Sequence, residues 1–185
     1  MTPTVRQPSN TPLHKRRLKS RTLPAMTTLN PGPSITLHDA IYSLRAIRRL
    51  KPDPISDGDL ATILDAARQA PNGGNQQDWH FVVIQNEEIK QKFGELYHEA
   101  WWAKRKDGGY SKPEDLPAHY KSPMGLADVM GKSPVIVLVC ATSPGFRESV
   151  IPATQNMLLA ARSLGIGGTI STLHASVTDR VKQLL

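Results

Sequence analysis

Two short apolar runs, 79–84 (WHFVVI) and 134–141 (PVIVLVCA), constrain this chain more than any other feature. Each has the length of a strand and is bounded by turn formers. Continuous or nearly continuous runs of this kind suit strands covered on both faces. Residues 168–173 are a weaker third candidate. Helical periodicity surrounds the runs. Leu37, Ala40, Ile41, Leu44 and Ile47 recur at helical spacing, and Thr36 with Asp39 resembles a capping box. Ser56 is an N-cap candidate for a second helix, which carries Leu60, Ile63, Leu64 and Ala67 on one face and stops before Pro71. Ile89, Phe93, Leu96, Tyr97 and Ala100 mark a third. The fourth runs from about Ser149 to Leu164, with Pro152 tolerable in its first turn. Val177, Val181, Leu184 and Leu185 share one face of a fifth. Residues 104–133 are polar, bear Gly and Pro, and show little periodicity, which predicts a long loop of the lid or binding kind. The outline is α+β: a buried sheet packed between helices, with one long excursion.

The chain of 185 residues suits a single core-bearing domain, expected over 34–185. Charge separates the remainder. Arg6, Lys15, Arg16, Arg17, Lys19 and Arg21 fall within residues 1–30 without one acidic residue. The net charge of +7 therefore comes mostly from this stretch, and the rest is nearly neutral. That distribution gives no argument for a nucleic-acid-binding domain. Residues 1–33, rich in Pro, Thr and Ser and without apolar period, read as a basic, disordered leader. Met26 offers an alternative start of the protein, and the leader has no apolar core of a secretory signal. No apolar run approaches the roughly 20 residues of a membrane-spanning helix. Cys140 is the single cysteine, which excludes an intramolecular disulfide and points to a reducing, cytoplasmic setting.

Self-sufficient catalytic motifs are missing. There is no GxSxG, HExxH, Walker lysine or GxGxxG motif, and the six histidines lack metal-ligand spacing. A cofactor can carry the chemistry instead, and three clusters suit one. If the first helix continues, Arg45, Arg48 and Arg49 share one of its faces at i, i+3 and i+4. Guanidinium forks there match phosphate oxygens or an electron-rich ring edge; a solvated basic helix end is the plainer reading. Residues 70–79 (APNGGNQQDW) follow a helix and precede a strand. Gly73 and Gly74 permit close backbone approach, and Asn75 and Gln77 offer amide donors and acceptors, where an ordinary turn is the alternative. Finally, Gln155 and Asn156 lie on a helix that exits through Gly165, Gly167, Gly168 and Thr169. A helix-terminating glycine accounts for Gly165 but not for the two that follow.

Together these segments resemble the FMN-dependent nitroreductase family, from about Ile35 to Leu185. Residues 40–54 (AIYSLRAIRRLKPDP) are similar to the family's basic start, written RRSxRxF. Residues 70–79 resemble APSxxNxQPW, and 151–174 resemble PAxQNxLLAAxxLGLGTxxTTLH. The resemblance implies a mixed β-sheet flanked by helices in an intertwined homodimer. By position it implies that Arg45, Arg48 and Arg49 meet the FMN phosphate and flavin pyrimidine edge. It also implies that Asn72, Asn75 and Gln77 approach flavin, in part across the dimer interface. Gln155, Gly167, Gly168, Thr169 and Thr172 would pass the ring near N5. The implied activity is a ping-pong transfer of hydride from NAD(P)H through flavin N5 to a nitroaromatic, quinone or enone. Small-molecule acceptors, a second subunit, and neither nucleic acid nor membrane are the implied partners.

Several positions depart from the family pattern. Leu44, Ala46, Asn72 and Asp78 stand where the family has Arg, Ser, Ser and Pro. The family also continues past a helix like 177–185 into a further strand and an arm around its partner. The chain is accordingly expected to be C-terminally truncated, and a degenerate flavin-binding protein without catalysis is the alternative reading. Trp101, Trp102, Tyr110 and Tyr120 fall where relatives build the acceptor pocket; they suit stacking on an aromatic acceptor or hydrophobic packing.

Overall fold

The structure, a computed structural model, describes residues 35–185. The expected leader at 1–33 lies outside the described residues. The elements in chain order are α1 (Leu37–Ser43), α2 (Asp57–Arg68), β1 (Trp79–Ile84), α3 (Glu87–Asp107), α4 (Ala118–Val129), β2 (Ile136–Ala141), α5 (Val150–Ser163) and α6 (Thr178–Leu184), with short 3₁₀ turns between several of them. The fold is α+β, as expected.

Local chemistry explains most boundaries. Ser56 and Asn86 accept the N–H of Asp59 and Ile89 to start α2 and α3. Lys104, Arg105 and Lys106 sit in the last turn of α3, where cations oppose the negative end of the helix dipole. The long excursion is corrected. Residues to Asp107 extend α3, and Ala118–Val129 form α4. Pro123 lies inside α4, and its missing N–H hid that helix from a propensity reading. Leu126, Ala127 and Met130 nevertheless bury its inner side.

β1 and β2 pair antiparallel, Trp79 opposite Ala141 and Ile84 opposite Ile136. Among the described residues this pair is the whole sheet; 168–173 does not form a third strand, and no mixed strand order appears. Asp78 extends the pairing, its carbonyl accepting Thr142 N–H and its carboxylate accepting the Thr142 hydroxyl, both at 3.1 Å. One sheet face, with Trp79, Phe81, Val137 and Val139, packs on α2 and α5, where Ala67 and Ala153 are fully buried. The other face meets α3 only at its Ile84 end, so His80 and Val82 stay exposed. Coverage on both faces therefore holds for part of the sheet.

Helix α3 anchors the second core. Phe93, Tyr97 and Trp101 recur every four residues along its inner side and are at most 3% exposed. Its backbone is pressed onto the turn that leads to β2. A Cβ on Gly94 would lie 2.5 Å from the Gly131 nitrogen. Nearby, buried Lys90 donates to Glu87 at 2.7 Å and to the Pro134 carbonyl at 3.2 Å. Gly94→Ala should destabilise the protein by about 1–3 kcal/mol through overpacking. Urea unfolding checks this, and an unchanged midpoint would show that the contact does not hold α3 in place.

Candidate functional site

The arginine cluster is not helical, contrary to expectation. α1 ends at Ser43, and Leu44 turns extended at φ −63° and ψ 129°. The reason is tertiary. The Ile47 N–H, which a continuing helix would spend on its own chain, donates to the Gly168 carbonyl at 2.9 Å. Arg45, Arg48 and Arg49 therefore share no helix face. Leu37 and Ile41, expected in the core, are 70% and 50% exposed, and Ala40 alone in α1 is buried. Arg45 Nη1 donates to the carbonyls of Tyr42 and Leu44 at 3.0 and 2.6 Å, capping the helix end.

The same hydrogen bond joins two segments of the expected site. Gly167 and Gly168 lie against 45–49, and a Cβ on Gly167 would come within 3.0 Å of Ile47 Cγ2. Beside this seam, Arg48 and Thr172 line a cleft of about 350 Å³ between α3, α4 and residues 170–173. Its walls include Tyr97, Trp101, Tyr120 and Ile170, and its other cations are Lys104 and Arg105. No Asp or Glu lines it. Arg105 stands over the Tyr120 ring at 4.2 Å and near Trp101 at 5.1 Å. Trp101 and Trp102 meet edge to face, as do Tyr110 and Tyr120, so this aromatic group is packed as well as cleft-lining.

The sequence did not single out Lys104, Arg105 or Ser171. A signal for Arg105 existed: it is the next step of the Phe93, Tyr97, Trp101 row. The row also holds the far wall. The Ser171 hydroxyl donates to Tyr97 Oη at 3.2 Å, and His174 stacks on Phe93 at 3.7 Å while sharing a 3.3 Å contact with the Phe93 carbonyl.

The remaining candidates lie elsewhere. Asn75 and Gln77 adopt left-handed φ of 55° and 54°, beside Gly74 at 58°. This loop is closed by Asn72, whose side-chain oxygen accepts Gln77 N–H at 2.8 Å. Ser149, just before α5, accepts Gly73 N–H at 3.2 Å. The side chains of Asn75 and Gln77 are exposed, as is Gln155 on α5, and none of them lines the cleft. Asn156 instead donates to the Ala66 carbonyl, joining α5 to α2. Arg49 is exposed and Thr169 half-buried. Cys140 is half-buried, and burial pushes its thiol up, away from the reactive thiolate. Among the described residues no group of three His, Cys, Asp or Glu side chains is placed to hold a metal, and no helix is long and apolar enough to cross a membrane.

Helices around a small antiparallel sheet, with a glycine turn paired to an arginine-bearing segment, are the architecture of the nitroreductase fold. A nitroreductase with bound FMN from Bacteroides fragilis has a TM-score of 0.62 at 24% identity, over 82% of this chain and 79% of that one. The FMN-dependent nitroreductase NfnB of Mycobacterium smegmatis, solved with NADPH, gives 0.62 at 17% identity over 80% and 79%. Residues 41–185 match the Nitroreductase family, and the chain belongs to that family. A provisionally named NADH dehydrogenase/NAD(P)H nitroreductase of Archaeoglobus fulgidus is 34% identical over 128 residues, covering 69% of this chain and 62% of that protein. A relative of the same name in Methanothermobacter thermautotrophicus is 29% identical over 150 residues, covering 78% and 64%. The chain thus spans less than two thirds of the length of these curated relatives.

Burial holds the His174 imidazole below its ordinary value of 6.5, against the raising effect of its bond to Phe93. The unfolded chain then binds this proton more tightly than the folded one. The stability from a neutral His174 is complete above pH 6.5 and is lost as pH falls below that value. The melting temperature should therefore drop between pH 7 and pH 5 less steeply in His174→Phe than in the parent. Equal slopes in scanning calorimetry would refute this.

Proposed function

We propose that this protein is an FMN-dependent oxidoreductase that passes hydride from NAD(P)H to an electron-poor small molecule such as a nitroaromatic, quinone or enone. The observation that carries the reading is the Ile47–Gly168 hydrogen bond, because it brings the arginine segment and the glycine turn to one edge of a cationic, aromatic-walled cleft. Family membership supports it, as do the FMN and NADPH recorded in structures of the same fold.

The residues present fit the cofactor. Arg45 keeps Nε and Nη2 beyond its helix-capping bonds, and exposed Arg49 offers a further fork for a phosphate. Arg48 is half-buried in a cleft without carboxylates, so it can favour negative charge on a flavin pyrimidine edge. Gly167, Gly168, Thr169 and Thr172 supply backbone and hydroxyl groups along the same seam. When bound, FMN supplies a two-electron carrier that takes hydride from the nicotinamide and gives it up to the acceptor. The protein's own tasks are orientation and exclusion of water, for which Tyr97, Trp101 and Tyr120 provide walls.

Asn72, Asn75, Gln77 and Gln155 fit this reading if they act in a second subunit's site, and the exposed apolar residues favour a homodimer. Leu37, Ile41 and Tyr42 on α1 and Ile151 on α5 are 50–70% exposed, an apolar surface of the kind that subunits cover. Sedimentation should give a dimer for the full chain and a shift toward monomer for Ile41→Asp; a monomeric parent would remove the dimer from the proposal.

Visible absorbance of the purified protein tests the chemistry. A flavin band should bleach on anaerobic addition of NADPH or NADH and return with a nitroaromatic or quinone. A band that neither nicotinamide bleaches would make this a flavin-binding protein without catalysis. No band with added FMN would overturn the cofactor assignment. Arg48→Met should weaken FMN binding roughly tenfold, the scale of one charge-assisted hydrogen bond; unchanged affinity in a fluorescence titration would remove Arg48 from the site.

A further inference from the structure

Arg105 has no part in the proposed flavin site, yet its position is costly. The residue is 9% exposed and lines the cleft. Among the described residues its guanidinium makes no hydrogen bond or ion pair, and only the Tyr120 and Trp101 rings attend it. A cation removed from water without an anion is unfavourable. Arg48 and Lys104 at the same cleft add repulsion rather than relief. The missing component is an anion.

The surroundings describe its chemistry. Next to the buried cation stand the apolar surfaces of Pro123, Leu126 and Ile170. A small, strongly hydrated anion gains nothing from such walls, whereas a ligand with one anionic end and a flat apolar body does. The guanidinium fork matches the two oxygens of a carboxylate. Tyr97 Oη accepts from Ser171, which leaves its own O–H to donate. The cleft volume of about 350 Å³ suits a ligand built on a single ring.

We propose that this cleft binds planar aromatic carboxylates, with Arg105 pairing the carboxylate. Resting on the oxidoreductase reading, these ligands are the preferred class of acceptor. Arg105 thereby sets specificity for the anionic end of the acceptor.

Benzoate, benzamide and inorganic phosphate are the probes, titrated calorimetrically into the full chain with and without FMN. Benzoate should bind at least tenfold more tightly than benzamide and should not be displaced by phosphate. Arg105→Met, checked for folding by circular dichroism, should bring benzoate down to the benzamide level. Arg105→Lys keeps the charge but not the fork; it should weaken benzoate severalfold, and it decides the matter if the Met variant does not fold. Equal affinity for benzoate and benzamide, or discrimination that survives in the substituted proteins, would overturn the proposal. So would competitive displacement of benzoate by FMN, which would make the cleft the flavin's own. The two readings fail separately. A protein that takes no FMN but still prefers benzoate keeps the carboxylate site and loses the flavin. One that bleaches with NADPH but shows no preference does the reverse.

Discussion

The structure depends on how closely the backbone of α3 approaches the turn before β2. Only two residues without side chains, Gly94 and Gly131, allow that separation. Lys90 reinforces it by reaching from the same helix to the Pro134 carbonyl. With α3 fixed there, its inner row is aimed in order at four different tasks. Phe93 meets His174, Tyr97 meets Ser171, Trp101 fills the core, and Arg105 reaches the cleft. A single helix thus sets both the floor of the cleft and the position of its 170–173 wall.

A second constraint acts at the opposite edge. The Ile47 N–H has two possible partners, a carbonyl one helical turn back or the Gly168 carbonyl from far along the chain. Choosing Gly168 ends α1 early and lays the arginine segment along the glycine turn. The absence of a Cβ on Gly167 matters here, since Ile47 occupies the space it would need. The stability of this seam and the shape of the candidate site are therefore one problem. Arg48 is placed by backbone pairing rather than by helix periodicity.

The sheet shows why apolar runs overstated coverage. β1 and β2 are apolar almost throughout, but the face toward α3 is covered only near Ile84 and Ile136. His80 and Val82 remain in contact with solvent. Run length in a sequence reports what a strand is able to bury; the placement of neighbouring helices determines what it does bury. α1 shows the same mismatch, since an amphipathic pattern directs Leu37 and Ile41 to an apolar contact that the described residues do not supply.

The sequence by itself determined the local elements whose causes are local. Cap side chains at Ser56 and Asn86, periodic apolar faces on α2, α3, α5 and α6, and the two strand-length runs are all short-range signals. Family kinship was also legible, because its motifs are contiguous. Tertiary structure decided the rest. Pro123 concealed α4, which forms because its inner face packs beneath α3. The end of α1 depended on a partner more than a hundred residues away, beyond the reach of any periodicity. Arg105 looked like one more cation in a basic helix end, and only the folding of α4 across it turned a solvated charge into a buried one. Hydrogen bonding and desolvation depend on what arrives from distant chain segments, which is why the chemistry of the cleft emerges only in three dimensions.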